Sequence, residues 1–323
     1  MHRRGALVAT GVLLALTAVR AHAQPAFPTK ALRIVVPFAA GGVGDLTARA
    51  VATGLAERLG QPVVIDNRPG AGGVVAADAV ARAEPDGHTL FLLSNGTAVS
   101  ASLFKSLPYD TLADFAPVST LGFFDIAVLV PADSPHRTLA QLLVHARAHP
   151  GQLNIGSINI GSTQHLAAEL FKSSAAINAQ VVPFNGTPAL ITALRGRQVD
   201  VGVEILGPAL PQVRAGALRV LAVTGERRSA VLPDAPTAVE SGVPGFVAAS
   251  WNALAVPART QRAVVDRLQR EVAATVATPA VQQQLRALNV EPRTSTPEQA
   301  MALLKTDIER WRAVIERAGI PKQ

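Results

Sequence analysis

Residues 32–60 constrain the fold of this chain more than any other segment. The apolar run Leu32-Arg33-Ile34-Val35-Val36 leads into the glycine-rich turn Pro37-Phe38-Ala39-Ala40-Gly41-Gly42-Val43-Gly44, and an amphipathic stretch then opens at Asp45. The branched apolar run predicts a buried strand, and apolar residues at helical spacing predict a helix that stops at Gly60. Because the first N–H groups of a helix have no partner within it, this turn suits an anion.

The same organisation is repeated immediately downstream. A second apolar run, Val63-Val64-Ile65, leads into a glycine-rich loop over 66–73 and a predicted helix over 74–83, and a third run over 89–93 ends in Ser94-Asn95-Gly96-Thr97. Repeated strand–loop–helix units build a parallel sheet, whose ligands bind at the carboxyl ends of the strands. Since these loops lie at that edge, the sequence predicts a small-molecule site there.

A second α/β lobe is predicted after a helix over 138–149. A mature chain of roughly 300 residues exceeds the size at which one hydrophobic core stops growing. We therefore expect lobe 1 to comprise residues 24–124 and 250–323 and lobe 2 to comprise 125–249, with a ligand cleft between them. Strands are expected at 115–121, 126–131, 153–157, 181–184, 199–205, 218–223 and 250–257, and the runs at 126–131 and 250–257 are expected to cross between the lobes.

The N-terminus has the pattern of a secretory signal peptide over residues 1–23. Two arginines precede an apolar core over 6–19, and Ala21-His22-Ala23 fits the small-residue cleavage rule. That core is short of the roughly twenty residues needed to span a bilayer. The sequence thus predicts export of a soluble protein to the periplasm.

Composition excludes several classes of function. The formal net charge is +7, and loss of residues 1–23 removes three arginines and no acidic residue, which leaves +4. That charge is too mild for a nucleic-acid surface, and aromatic residues, at 4%, are too few for one with interleaved aromatics. The absence of cysteine excludes disulfides and thiolate metal sites. His145 and His149 lie one helical turn apart without a third ligand nearby in the sequence, so neither metal nor cofactor is expected.

Short motifs spread along the chain occur in an order typical of one family. They are Phe27-Pro28-Thr29-Lys30, Pro37-Phe38-Ala39-Ala40-Gly41-Gly42 with Asp45, Gly60-Gln61-Pro62-Val63-Val64, Asn67-Arg68-Pro69-Gly70-Ala71-Gly72-Gly73, Pro85-Asp86-Gly87-His88-Thr89-Leu90, Leu107-Pro108-Tyr109-Asp110, Asp114-Phe115-Ala116-Pro117-Val118, His165-Leu166-Ala167-Ala168-Glu169-Leu170-Phe171 and Leu232-Pro233-Asp234-Ala235-Pro236-Thr237. Each motif is weak alone, but the ordered set is specific. The whole mature chain resembles the extracytoplasmic solute receptors of tripartite tricarboxylate transporters, the Bug type of periplasmic binding protein.

The resemblance implies a type II periplasmic binding protein fold, in which two α/β lobes joined by two crossing strands close on a small carboxylate. It implies a monomer that makes and breaks no bond and hands its ligand to the membrane permease of a tripartite tricarboxylate transporter. In such receptors the first glycine loop grips a ligand carboxylate through backbone groups and waters, and Gly161, Ser162, Thr163 and His165 match the facing loop. The candidate ligand-binding residues are Phe38, Ala39, Ala40, Gly41, Gly42, Asp45, Ser94, Asn95, Gly161, Ser162, Thr163, His165, Asn185 and Glu204.

Two departures from the family pattern bear on the ligand. Glu204 is followed by Ile205, where the pattern has an asparagine, and Asn185 stands where it often has a lysine. Both changes remove polar handles. They favour an acid less polar than citrate, such as a monocarboxylate, an aromatic acid or a short dicarboxylate, while Asp45 would suit the ammonium group of an amino acid.

Alternatives stay open at several residues. Asp45 could be a helix N-cap instead of a ligand contact, and Arg68 could clamp a carboxylate or tie its loop to Asp66. Ser162 and His165 could serve a secreted serine hydrolase, although the spacing favours helix capping and the Gly-x-Ser-x-Gly elbow is absent. A sensing subunit for a membrane histidine kinase is a further alternative to transport, which neighbouring genes would separate.

Overall fold

The computed structural model describes residues 27–323. The predicted signal peptide over 1–23 lies outside these residues. Among the described helices, none has both the length and the apolarity needed to cross a bilayer.

Ten strands and ten helices alternate along the described chain. The strands are β1 (Leu32–Val36), β2 (Val63–Asn67), β3 (Thr89–Ser94), β4 (Phe115–Pro131), β5 (Leu153–Ile158), β6 (Ala179–Phe184), β7 (Val201–Ile205), β8 (Leu218–Val223), β9 (Ala249–Pro257) and β10 (Val290–Pro292). The helices are α1 (Val43–Leu59), α2 (Val74–Ala81), α3 (Asn95–Leu103), α4 (Leu139–Ala148), α5 (Thr163–Ala175), α6 (Thr187–Arg195), α7 (Leu206–Arg214), α8 (Arg262–Val276), α9 (Pro279–Ala287) and α10 (Pro297–Arg317).

The strands form two sets of parallel strands that share one long strand. The order along the sheet is β2-β1-β3-β9-β4-β7-β5-β6, and β8 and β10 also pair with β4. Strands β1, β2 and β3 run parallel, as do β5, β6 and β7, while β4 and β9 run antiparallel to their neighbours. The predicted repeated α/β units are therefore confirmed in both halves.

The predicted break between strands 115–121 and 126–131 was wrong. Residues Phe115–Pro131 form one strand of 17 residues, and its partners change midway. Up to Asp125 the strand pairs with β9, and from Ile126 onward it pairs with β7 and β8. An almost unbroken apolar pattern on both sides of this point gives the strand no reason to end, since both of its halves are buried.

The pairing of β9 bears on the two crossings between the halves, which were predicted at residues 126–131 and 250–257. Strand β9 pairs with the first part of β4 and not with residues 126–131. The two connecting segments are held together by Thr224, whose hydroxyl lies 3.1 Å from the Ile126 carbonyl and 2.5 Å from the Ala248 carbonyl. The N–H of Ala248 in turn donates to the Thr224 carbonyl at 2.8 Å. Thr224 therefore joins residue 126 of β4 to the residue that precedes β9.

Helix α3 and strand β10 were not predicted. Residues 94–97 were expected to form a polar loop, but Ser94 ends β3 and the helix starts at Asn95 without any turn residue in between. Its small residues lack a clear apolar stripe because nearly the whole helix is buried. Strand β10 has only three residues, too few for a period-two pattern.

The contact between α7 of one half and the C-terminal end of α9 of the other half can be tested by a substitution. A Cβ atom on Gly207 would lie 1.6 Å from the carbonyl oxygen of Leu288, a backbone atom that cannot rotate away. We expect Gly207→Ala to lower the free energy of unfolding by about 1–3 kcal/mol, as over-packing typically does. Gly196→Ala is the control, because its Cβ would meet nothing closer than 3.3 Å. Equal stability of both variants in urea denaturation would contradict this packing.

Candidate ligand-binding site

A narrow cavity lies between the two halves, where the parallel strands end. Residues that follow the carboxyl ends of β1, β3, β5, β6 and β7 line it, together with residues of β4 and β9. The lining residues are Phe38, Ala39, Gly42, Val43, Gly44, Ser94, Gly96, Phe124, Ile158, Thr163, Gln164, Gly186, Thr187, Ile205, Ser250 and Asn252.

Four helices open onto this cavity with their first turns, and a fifth begins beside it. Val43 and Gly44 belong to α1, Gly96 to α3, Thr163 and Gln164 to α5, and Thr187 to α6; Ile205 is the residue before α7. The first N–H groups of each helix have no intrahelical partner, and the helix dipole places partial positive charge there. The convergence of these termini makes the cavity favourable for an anion.

Side chains add neutral donors and an apolar wall. The polar lining side chains are the hydroxyls of Ser94, Thr163, Thr187 and Ser250 and the amides of Gln164 and Asn252. Phe38, Phe124, Ile158 and Ile205 supply the apolar surface. The described lining contains no lysine, arginine or histidine. Negative charge must therefore be stabilised by dipoles and neutral hydrogen bonds.

Asn252 carries an unused donor into this lining. Its side chain is 1% exposed, and its Nδ2 has no hydrogen-bond partner among the described residues. A buried donor left unpaired costs about 1–3 kcal/mol. An acceptor inside the cavity would remove this cost, so Asn252 points to a ligand with acceptor oxygens.

The first glycine loop reaches the cavity as predicted for Phe38, Ala39 and Gly42. Ala40 is exposed and Gly41 is half-buried, and neither lines the cavity. The N–H of Gly41 is already bonded to a side chain of the following helix. The loop therefore presents its two ends to the cavity, while its middle faces away.

Asp45 supports this loop from behind. It is 2% exposed, and its carboxylate accepts hydrogen bonds from Gly41 N–H at 2.9 Å, Asn67 Nδ2 at 3.0 Å and Arg49 Nε at 3.0 Å. Burial alone would raise the pKa of Asp45, but these three donors hold the pKa below its usual value. The N-cap prediction was wrong, because Gly42 occupies that position and Asp45 is the third residue of α1.

Arg68 in the second glycine loop is tied to its own loop. Its Nε donates to Asp66 Oδ2 at 2.9 Å. Neither residue lines the cavity. Of the two alternatives for Arg68, the structure therefore shows the tie to Asp66.

Asn95 joins the cavity wall to the C-terminal helix through a buried network. Its Oδ1 accepts from Thr163 Oγ1 and from Trp311 Nε1, both at 2.9 Å. Its Nδ2 donates to Asp307 Oδ2 at 2.5 Å, and Trp251 Nε1 donates to the same oxygen at 2.6 Å. The Thr163–Asn95 bond connects α5 of one half with α3 of the other. Trp251 belongs to the packed core.

Gly161 forms a second direct contact between the halves. Its carbonyl lies 3.2 Å from Ser100 Oγ, which lies 2.7 Å from the Gly72 carbonyl. A Cβ atom on Gly161 would lie 2.9 Å from the Gly72 Cα, so only glycine permits this approach. The contact is a bridge between backbones beside the cavity, and Gly161 is not part of the cavity lining.

Ser162 caps α5, as its spacing predicted. Its Oγ accepts from the N–H of His165 at 3.1 Å and donates to the Ile158 carbonyl at 3.1 Å. The ring Nδ1 of His165 is buried, and among the described residues it has no hydrogen-bond partner. Burial lowers the pKa of His165. The serine hydroxyl is thus engaged in capping, and no described carboxylate bonds the histidine ring to complete a triad.

Neither Asn185 nor Glu204 lines the cavity, and the two residues lie in different environments. Asn185 is exposed in a surface groove beside Phe104 and Ile160. Glu204 is fully buried directly behind Gln164, whose Nε2 donates to Glu204 Oε1 at 2.8 Å. Burial raises the pKa of Glu204 to about 7, although the hydrogen bonds it accepts act in the opposite direction.

Sequence reasoning found the loops of this site but missed much of its wall. Of the fourteen predicted residues, Phe38, Ala39, Gly42, Ser94 and Thr163 line the cavity. Gln164 and Thr187 were missed although they are polar residues that follow predicted strands, in the first turns of α5 and α6. Ser250 and Asn252 were missed inside an apolar strand, where two buried polar residues around Trp251 were the available signal.

The raised pKa of Glu204 predicts how stability depends on pH. Between the ordinary value near 4.5 and about 7, the folded protein holds a proton that the unfolded chain has lost. The free energy of unfolding should therefore fall as pH rises through this window, by up to about 3 kcal/mol relative to Glu204→Gln. Denaturant titrations of both proteins from pH 4 to pH 8 measure this difference, and a constant difference would contradict the prediction.

Comparison with known proteins identifies close sequence relatives. Residues 47–320 match the sequence model described as "Tripartite tricarboxylate transporter family receptor". The chain is 34% identical to protein BugT of Bordetella pertussis over 318 residues, which cover 97% of each protein. The resemblance found in the sequence motifs is therefore confirmed.

Solved structures with similar folds contain small dicarboxylates. Rpa4515 of R. palustris, solved with adipate, is 34% identical with a TM-score of 0.88, covering 91% of this chain and 99% of that one. MatC (Rpa3494) from Rhodopseudomonas palustris, solved with bound malate, is 33% identical with a TM-score of 0.85, covering 90% of this chain and all of the other. These likenesses confirm the predicted two-lobed α/β binding-protein fold.

Proposed function

The chain belongs to the family of tripartite tricarboxylate transporter receptors, and from that premise we propose that its central cavity binds a small carboxylate for transport. Proteins of this family are binding receptors. The observation that carries the proposal is the convergence of helix N-termini on one cavity, whose lining includes the unpaired amide of Asn252. Such an arrangement stabilises an anion without a cationic side chain.

The ligand class follows from the wall of the cavity. Adipate and malate are bound by two similar receptors. Ile205 and Phe124 add apolar surface where citrate would need further polar partners. We infer a monocarboxylate or a short dicarboxylate, with aromatic acids and amino acids as further members of the test panel.

Ligand capture proceeds by closure of two lobes, comprising residues 24–124 with 250–323 and residues 125–249. The change of β4 partners between Asp125 and Ile126 supports this division, as does the Thr224 contact with both connecting segments. The Thr163–Asn95 and Ser100–Gly161 contacts hold the lobes together. Affinity then reflects the free-energy difference between open and closed states.

The proposed setting is the periplasm, reached through the signal peptide at residues 1–23. The receptor acts there as a monomer and delivers its ligand to the permease subunits of a tripartite tricarboxylate transporter. This setting is supported by the family and by the sequence pattern of the N-terminus.

A thermal-shift screen of refolded, ligand-free protein tests the proposal. A ligand at a hundred times its Kd stabilises the folded state by about 2.7 kcal/mol. At about 2–4 °C per kcal/mol, one class of mono- or dicarboxylate should raise Tm by about 5–10 °C. If no carboxylate in the panel shifts Tm while an uncharged solute does, the proposal is wrong.

The Asn252→Leu variant distinguishes an effect on ligand affinity from an effect on the free energy of unfolding. Removal of the unpaired amide should leave the free energy of unfolding unchanged or slightly higher, since the lost group has no partner in the empty cavity. A hydrogen bond to a charged ligand is worth about 1.5–3 kcal/mol, so affinity should fall about 10- to 100-fold. Asn178→Leu, on an exposed residue, is the matched control. Calorimetry that gives all three proteins the same Kd would exclude Asn252 from the site.

A further inference from the structure

The carboxyl group of Glu204 lies directly behind the residues that line the cavity, and only one of its two oxygens accepts well-formed hydrogen bonds. The residue is fully buried at the end of β7. Its Oε1 accepts from Gln164 Nε2 at 2.8 Å and from Ile205 N–H at 2.7 Å. Its Oε2 accepts no hydrogen bond of ordinary geometry among the described residues, although the neighbouring Thr187 side chain acts to lower the pKa of Glu204. A buried carboxylate oxygen without a donor is costly, and a proton on that oxygen removes the cost.

The surroundings of this carboxyl group are neutral. Gln164 on α5 and Thr187 on α6 stand between it and the cavity, and Ala127 of β4 is its neighbour across the sheet. The ionisable residues of the elements packed around β7 are Asp125 on β4, His165, Glu169 and Lys172 on α5, Arg195 on α6 and Arg214 on α7. Burial is the main cause that raises the pKa of Glu204, and none of these charged groups contributes.

Two residues connect the cavity to this carboxyl group, so an anion bound in the cavity would affect the protonation of Glu204. Gln164 and Thr187 both line the cavity and both belong to the immediate surroundings of Glu204. A bound carboxylate places a like charge near Glu204 and excludes water, and both effects favour the protonated form. Because no cationic side chain lines the described cavity, neutralisation of this buried acid is the nearest compensation for the charge of the ligand.

We propose that Glu204 is a positioning residue that holds Gln164, and that Glu204 takes up a proton when the cavity binds a carboxylate ligand. The proton comes from solvent and is held on Oε2. The charged form accepts from the Gln164 amide, and the neutral form removes a negative charge from behind the cavity wall. This inference rests on the proposed function and adds to it a dependence of affinity on pH.

Calorimetry with adipate and malate tests the coupling. Between pH 6.5 and pH 8.5 both acids are mainly ionised, and burial lowers the pKa of His165 away from this range. If the ligand raises the pKa of Glu204 by about one unit, the affinity of the natural protein should fall about fivefold across this range. Titrations in two buffers of different ionisation enthalpy should show proton uptake near neutral pH.

Glu204→Gln should abolish both effects. This variant should bind at pH 8.5 at least as tightly as the natural protein binds at pH 6.5, and it should show no proton uptake. The matched control is Glu57→Gln, the same chemical change on an exposed residue of α1, which should behave as the natural protein does. Affinity of the natural protein that is independent of pH, or a weaker Glu204→Gln variant at pH 8.5, overturns the proposal.

A titration without ligand tests the link between Glu204 and Gln164 separately. The carboxyl ¹³C resonance that is lost in Glu204→Gln should titrate near neutral pH, and Gln164→Leu should move its midpoint upward, because a donor to the charged form is lost. A midpoint below pH 5, or one that Gln164→Leu does not move, overturns the positioning role. If neither acid binds either protein at any pH, the proposed choice of ligand fails, while this titration still decides the role of Glu204.

Discussion

Under the proposed function, the structure depends on one electrostatic constraint, which is that an anion must be stabilised in a cavity whose described lining has no cationic side chain. The fold meets this constraint with backbone. The first turns of α1, α3, α5 and α6 open onto the same space, and each contributes unpaired N–H groups and the positive end of a helix dipole. Neutral donors such as Asn252 complete the set. Such a site binds charge while it avoids the cost of burying a lysine or arginine when the cavity is empty.

The sheet explains why the helices converge. In a parallel arrangement every strand ends at the same edge, so each following helix begins there. Two such sets face each other because β4 passes from one to the other and changes its partners between Asp125 and Ile126. Contacts between the halves then surround the cavity, notably Thr163 with Asn95 and Ser100 with Gly161. The residues that connect the two halves are therefore adjacent to the residues that line the cavity.

Local sequence was sufficient for most of the fold and for the loops of the site. The strand of residues 32–36, the glycine turn and the helix that ends before Gly60 follow from hydrophobic period and helix-stop rules, and all three are present. Helix α3 and Asn252 could not be recognised in this way, because their environment is set by distant partners such as Asp307 and Ser94. The role of Glu204 likewise depends on Gln164, forty residues earlier in the chain. A residue that lies behind the cavity lining has the same kind of sequence pattern as a residue of the lining itself. Only the contacts in the structure distinguish the two kinds of residue.

The most direct test of the central claim compares the best-binding carboxylate from the thermal-shift screen with its amide of the same shape, by calorimetry near neutral pH. Helix termini and neutral donors that stabilise negative charge should bind the acid at least about a hundredfold more tightly, which is about 2.7 kcal/mol. An amide that binds as tightly as the acid would show that the cavity recognises shape and hydrogen-bonding oxygen atoms but not charge, and it would contradict the account.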